Sequence, residues 1–160
     1  MTIAEQRLEM VRRRTKVDAI LFWSLENIRY LCGFSGSDGV LIITGHERTF
    51  MSDSRYEEQA RGEVREATFK KYKQKIEGVV RFLQSVRVKR VGFESAALPY
   101  ESYQKLREKL PRVSFIPLAR EIAGLRARKN LEELEERALK AGAVEAAVID
   151  AKEEFARDFV

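Results

Sequence analysis

Cysteine and histidine are almost absent from this chain, with one of each, Cys32 and His46, in 160 residues. A lone cysteine excludes an intramolecular disulfide framework and any cysteine zinc cluster, and a lone histidine leaves no material for a multi-histidine metal centre. Three prolines and nine glycines are too few for a collagen-like or low-complexity polypeptide. No apolar run approaches the roughly 18 residues of a membrane span. The N-terminal MTIAEQRLEM carries no apolar stretch of the kind that directs export, so no membrane partner and a cytoplasmic location are expected. What is present, 44% hydrophobic and 34% charged residues, is the profile of a globular chain long enough for one substantial core.

Thirty Lys and Arg against 25 Asp and Glu give a net charge of +5. Residues 126–160 hold seven basic and nine acidic residues, which leaves +7 on residues 1–125. Basic clusters stand at Arg12, Arg13, Arg14 and Lys16, at Lys70, Lys71, Lys73 and Lys75, and at Arg87, Lys89 and Arg90. Such clusters can track nucleic-acid phosphates. Acidic residues interrupt the basic ones nearly everywhere else, and aromatics are not regularly interleaved for base stacking. Solvated faces are the simpler reading, and no nucleic-acid partner is expected.

Ile3, Leu8 and Val11 are spaced for a helix over 3–14. The run Ala19-Ile20-Leu21-Phe22-Trp23 suits a strand buried on both faces. Ser24 is placed to cap a short helix over 25–31, with Ile28 and Leu31 inward and Gly33 as its left-handed stop. The stretch GFSGSDG at 33–39 is a loop. Residues 40–43 and 48–51 flank a four-residue connection and read as a hairpin, with His46 exposed and without a role in its turn. Asp53 and Ser54 cap a helix over 55–61, and a short strand follows at 67–69. Ile76, Val79, Val80 and Leu83 form a helical stripe, 88–93 a strand, and Tyr103, Leu106 and Leu110 another stripe after Pro99. The last strand candidate is 113–116. Helices alternating with strands, plus one hairpin, predict an α/β fold with a mixed sheet. Beyond it, Asn130 with Glu133 opens a possible long amphipathic helix to about residue 157.

Asn27, Tyr30 and the loop Ser35-Gly36-Ser37-Asp38-Gly39 are the most distinctive stretch. Glycines there allow close backbone approach to a ligand and a small anion nest, but the loop lacks the lysine of a P-loop. Arg55 next to Asp53 reads as a surface ion pair. Glu94, at the end of a strand, is expected at a sheet edge facing partners. Asp18, Asp38, Asp53 and Glu94 all lie near element ends. Asp18 opens its strand while Asp53 and Glu94 close theirs, so nothing predicts their convergence on metal ions. Cys32 reads as a small buried apolar residue.

NIRYLCGFSGSDG at 27–39, DSRYEEQA at 53–60, VGFE at 91–94 and LRARKNLEELEERALKAG at 125–142 together resemble the N-terminal domain of Xaa-Pro aminopeptidases and prolidases, a domain that also precedes creatinase. The resemblance implies a ribonuclease-H-like mixed β-sheet flanked by helices, without nuclease activity, over residues 1–124. It implies that residues 125–160 are the linker and first helix of a "pita-bread" catalytic domain. In the family that domain binds two divalent ions (manganese, cobalt or zinc) through two Asp, one His and two Glu. No such ligand set is reached by Val160, so no catalytic residue, metal ligand or independent peptidase activity is expected in this chain.

The resemblance further implies a homodimer in which the loop matching GFSGSDG approaches the partner's substrate pocket. Ser35, Ser37 and Asp38 are then expected near substrate in trans, restricting its length. Asn27, Tyr30, Arg55 and Tyr56 are expected to be structural or dimer contacts. The implied partners are the chain's own catalytic domain, a second copy, and short Xaa-Pro peptides as substrates of the full protein. A stand-alone peptide- or protein-binding module of the same fold, or a nucleic-acid-binding ribonuclease-H-like protein, are the alternatives.

Overall fold

A computed structural model describes residues 3–127, together with Leu139 and Gly142. The chain divides into two units, Met1–Arg126 and Ala127–Val160, and the sheet and its helices belong to the first. The helix expected over 130–157 lies outside the described residues.

The order of elements is α1 (Ile3–Thr15), β1 (Ala19–Phe22), α2 (Leu25–Cys32), β2 (Val40–Thr44), β3 (Arg48–Ser52), a one-turn 3-10 helix (Ser54–Tyr56), α3 (Glu57–Glu63), β4 (Thr68–Lys71), α4 (Lys75–Ser85), β5 (Arg90–Glu94), α5 (Tyr100–Lys109), β6 (Ser114–Leu118) and α6 (Arg120–Ala127). The six strands form one sheet in the order β4-β3-β2-β1-β5-β6. β2 runs antiparallel to both of its neighbours, and the remaining pairings are parallel. This is the mixed α/β sheet expected from the sequence, with the hairpin supplying its one reversed strand.

β1 sits at the centre, and Ala19, Ile20, Leu21 and Phe22 are fully buried, as a continuous apolar run demands. The β2–β3 turn is held by Thr44, whose Oγ1 accepts the backbone N–H groups of His46 and Glu47 at 3.2 and 3.0 Å. β4 and β6 form the two edges; one ends in Lys70-Lys71 and the other contains Pro117, residues that discourage pairing with another chain.

Each face of the sheet carries its own core. On one, Leu8, Phe22, Ile28, Leu31, Phe34, Phe50, Ile122 and Leu125 pack together. On the other, α4 and α5 bring Val79, Leu83 and Leu106 against Leu21, Ile42 and Phe93. Burying each large apolar side chain contributes about 1.5–3 kcal/mol before ordering costs.

Two differences from the sequence reading have local causes. Asp53 accepts the backbone N–H of Arg55 at 2.9 Å, which starts a single 3-10 turn, so the α-helix proper begins only at Glu57. Helix α6 was not anticipated; Ile122 and Leu125 are its buried residues, and two apolar positions three apart are too sparse a pattern to distinguish from a loop. Among the described residues no helix is long and apolar enough to cross a membrane.

Candidate functional site

The C-terminal ends of β1 and β5, helix α2 and the loop entering β2 meet at one end of the sheet. Helix α2 begins at Ser24, whose Oγ accepts the Asn27 N–H at 3.4 Å. It ends at Gly33, where φ is +84° and the N–H donates to the Arg29 carbonyl at 2.9 Å. Only glycine takes this conformation without strain, and a Cβ there would also stand 3.0 Å from the Glu63 carbonyl.

The loop that follows is tied down residue by residue. Ser35 donates its backbone N–H to Glu63 Oε2 at 2.7 Å and its Oγ–H to Oε1 at 2.8 Å. These bonds, with one from the Gln59 amide, hold the Glu63 carboxyl below its ordinary range. Ser37 Oγ shares a hydrogen bond of 2.5 Å with the Tyr56 hydroxyl. Asp38 accepts from the Tyr72 hydroxyl at 2.6 Å and from Lys75 Nζ at 2.9 Å, while its backbone carbonyl accepts from Ser52 Oγ at 2.7 Å. Burial and then the adjacent Asp38 push the Tyr72 hydroxyl well above its ordinary pKa. Lys75 Nζ also lies 4.2 Å from the centre of the Trp23 ring, a cation–π contact. The glycines of the loop serve its own packing: a Cβ on Gly36 would collide with the Phe34 ring, and one on Gly39 with the Phe50 ring.

The other residues singled out in the sequence surround this loop or support it. Arg55 is exposed, pairs with Asp53 at 2.7 Å and lies 5.6 Å from the Tyr56 ring centre. Its guanidinium holds the Asp53 carboxyl below the usual range. The Tyr56 ring meets Phe34 edge-on at 5.8 Å and 85°. Tyr30 packs half-buried against the first core cluster. Asn27 is buried, and its side-chain amide donates to Glu94.

Glu94 itself corrects the sequence reading. It does not face partners at a sheet edge; it is 4% exposed, on a strand with neighbours on both sides. Its carboxylate accepts the backbone N–H groups of Trp23 and Ser24 at 2.5 and 2.6 Å besides the Asn27 amide. A buried carboxylate is tolerated where donors surround it. Because two of those donors are main-chain groups, no side-chain pattern could have revealed them. Tyr72, Lys75 and Glu63 were likewise missed as loop supports; Lys75 was visible only as one member of a basic cluster.

The four carboxylates near element ends do not converge. Asp18 Oδ2 accepts the N–H groups of Lys89 and Arg90 at 2.8 and 2.9 Å, at the opposite end of β1 from the other three. Cys32 is buried, and burial pushes its thiol up, away from nucleophilic character. Among the described residues no group of three His, Cys, Asp or Glu side chains could hold a metal ion. The two-ion centre implied by the resemblance finds no fit among these residues, and no hydrolytic step is derived for them. What the arrangement does chemically is present two hydroxyls and a neutralised carboxylate on a loop of fixed shape.

Comparison with known proteins agrees with this architecture. The family model of the creatinase/prolidase N-terminal domain matches residues 6–128. The "uncharacterized peptidase YqhT" of Bacillus subtilis is 31% identical over 119 residues, covering 74% of this chain and 34% of that protein. An Xaa-Pro dipeptidase from Bacillus anthracis superposes with a TM-score of 0.73 at 27% identity, over 86% of this chain and 39% of that one. The N-terminal domain of the cytoplasmic peptidase PepQ from Mycobacterium tuberculosis shares the fold, with a TM-score of 0.72 at 23% identity, over 79% of this chain and 100% of that one. The chain thus spans about a third of the curated relative it matches. By its sequence and by its sheet, the chain belongs to the creatinase/prolidase N-terminal domain family.

Proposed function

We propose that this chain is the non-catalytic N-terminal domain of a cytoplasmic, proline-specific metallopeptidase, an Xaa-Pro aminopeptidase or dipeptidase. In this reading it supports homodimerisation and uses loop 33–39 to limit substrate length at the active site of the partner subunit. The metal ions, manganese, cobalt or zinc, belong to the catalytic domain that would follow. The observation that carries the reading is the loop itself, fixed through Ser35–Glu63, Ser37–Tyr56 and Asp38–Tyr72–Lys75. A surface that restricts substrate length must not yield when a longer peptide presses on it, and preorganisation of this kind is what binding and orientation require.

In this reading Asp38 meets the free amine of a short peptide, by charge-assisted hydrogen bonding. Its carboxylate is about 31% exposed and already paired with Lys75, so the peptide amine competes with that ammonium. Two variants of the peptidase that carries this domain therefore act in opposite directions. Asp38→Ala should raise KM for an Xaa-Pro dipeptide more than it lowers kcat, and Lys75→Met should lower KM. Steady-state kinetics with di- and tripeptides checks both, and unchanged KM in both variants would remove loop 33–39 from the substrate.

A further inference from the structure

The opposite end of the sheet carries a feature that the peptidase reading does not use. Two basic clusters separated by some seventy residues in sequence come together there. Arg90 Nε donates to the Lys16 carbonyl at 2.8 Å, and Asp18 ties the start of β1 to Lys89 and Arg90. The end of α1, the β2–β3 turn and the segment entering β5 enclose an open cleft of about 730 Å³, lined among others by Arg12, Gly45, His46, Arg87 and Lys89. Asp18 and Glu47 line it too. Asp18 is committed to backbone amides, and Glu47 lies 3.9 Å from Lys70 Nζ. Arg12 Nε pairs with Glu9 at 3.2 Å, whereas Arg87 and Lys89 form no side-chain ion pair among the described residues. The Arg12 guanidinium occupies the space beside Gly45; a Cβ there would stand 2.3 Å from Arg12 Nη1.

We infer that this cleft binds a short phosphate chain, a di- or triphosphate, through Arg12, Arg87 and Lys89. Guanidinium forks and an ammonium facing one open space are suited to several phosphate oxygens at once. The fit is to the phosphates, since no Phe, Tyr or Trp lines the cleft and His46 is the one aromatic ring in its lining, too little to sandwich a base. The same absence argues against single-stranded nucleic acid as the occupant. The site is independent of loop 33–39, which lies at the other end of β1.

The test is isothermal titration calorimetry of the 160-residue chain with sodium tripolyphosphate and, separately, a nucleoside triphosphate, without divalent ions at about 50 mM salt, where screening is moderate. Binding of one equivalent is expected, with the two ligands within a few-fold of each other. Tenfold tighter binding of the nucleotide would overturn the phosphate-only assignment. The double variant Arg87→Gln/Lys89→Gln should weaken binding about tenfold or more, while Lys73→Gln/Arg81→Gln, with the same loss of charge at exposed positions away from the cleft, should change it less than about twofold. Gly45→Ala keeps the net charge but displaces the Arg12 guanidinium, and a several-fold loss is expected. Thermal unfolding of each variant verifies that it folds. No binding by the parent chain, several weak equivalents, or equal losses in the two double variants would overturn the inference.

Discussion

Charge is used in opposite ways at the two ends of the sheet. Around the loop that enters β2, carboxylates are matched inside the domain: Asp38 with Lys75 and Tyr72, Glu63 with Ser35 and Gln59, Asp53 with Arg55, and Glu94 with three N–H donors. At the N-terminal ends of β1 and β5, the side chains of Arg87 and Lys89 stand exposed and unpaired among the described residues. The first arrangement spends electrostatics on shape, the second leaves them available to a mobile anion. A family domain can thus carry a rigid contact surface and an open electrostatic one without conflict, because the sheet separates them.

That contrast predicts a descending series of effects. The largest belongs to Glu94→Ala, which leaves the Trp23 and Ser24 N–H groups and the Asn27 amide without their acceptor. A loss of about 3 kcal/mol in urea unfolding is expected, from unsatisfied buried donors and a lost charge-assisted network. A loss below about 1 kcal/mol would mean that water replaces the carboxylate and that this end is not sealed. Gly33→Ala comes next, at about 1–2 kcal/mol, from the positive φ and the crowding against Glu63. If it costs nothing, the α2 stop is softer than its geometry implies.

Acid should act on the loop end through Glu63. Its folded pKa lies below the ordinary 4.5, so its contribution is present above that value and is lost as pH falls through the lower, folded pKa. The Ser35 amide resonance should therefore titrate below about pH 4.5 in NMR spectra, and a flat resonance down to the unfolding transition would refute the tie. The smallest effect is at the other end. Arg87→Gln and Lys89→Gln should leave stability within about 0.5 kcal/mol, as for exposed groups without partners. A larger loss would show that these cations stabilise the fold and are not held in reserve for a ligand.

Most of the strands and helices were legible because the apolar periodicities are clean: AILF for the central strand, VLII and its partner for the hairpin, and the Val79–Leu83 stripe for α4. Caps were legible as well, since Ser24, Gly33 and Asp53 act on neighbours two to four residues away. The site was legible as a sequence stretch and much less as a set of contacts. Ser37 reaches Tyr56, Asp38 reaches Lys75, and Asn27 reaches Glu94 across 19, 37 and 67 residues, and no local rule encodes pairings of that range. Glu94 was misread for the same reason: a charged residue ending a strand normally points to water, and only the converging main-chain donors of the β1–α2 connection reverse that. The basic cleft escaped similarly, because each of its clusters taken alone is an ordinary solvated face.

The position of β1 has a consequence for synthesis on the ribosome. One side of β1 is paired early, by the hairpin that follows it, but the other waits for β5, and Glu94 closes the junction from 71 residues downstream of Trp23. At translation rates of about 5–20 residues per second, that edge, AILF, stays open for roughly 4–14 seconds. During that interval the nascent chain presents a wholly apolar strand without its neighbour, the condition in which strand edges recruit other chains. The domain's demand for a holding chaperone should therefore peak before β5 emerges and fall once the Glu94 carboxylate has closed over the end of β1.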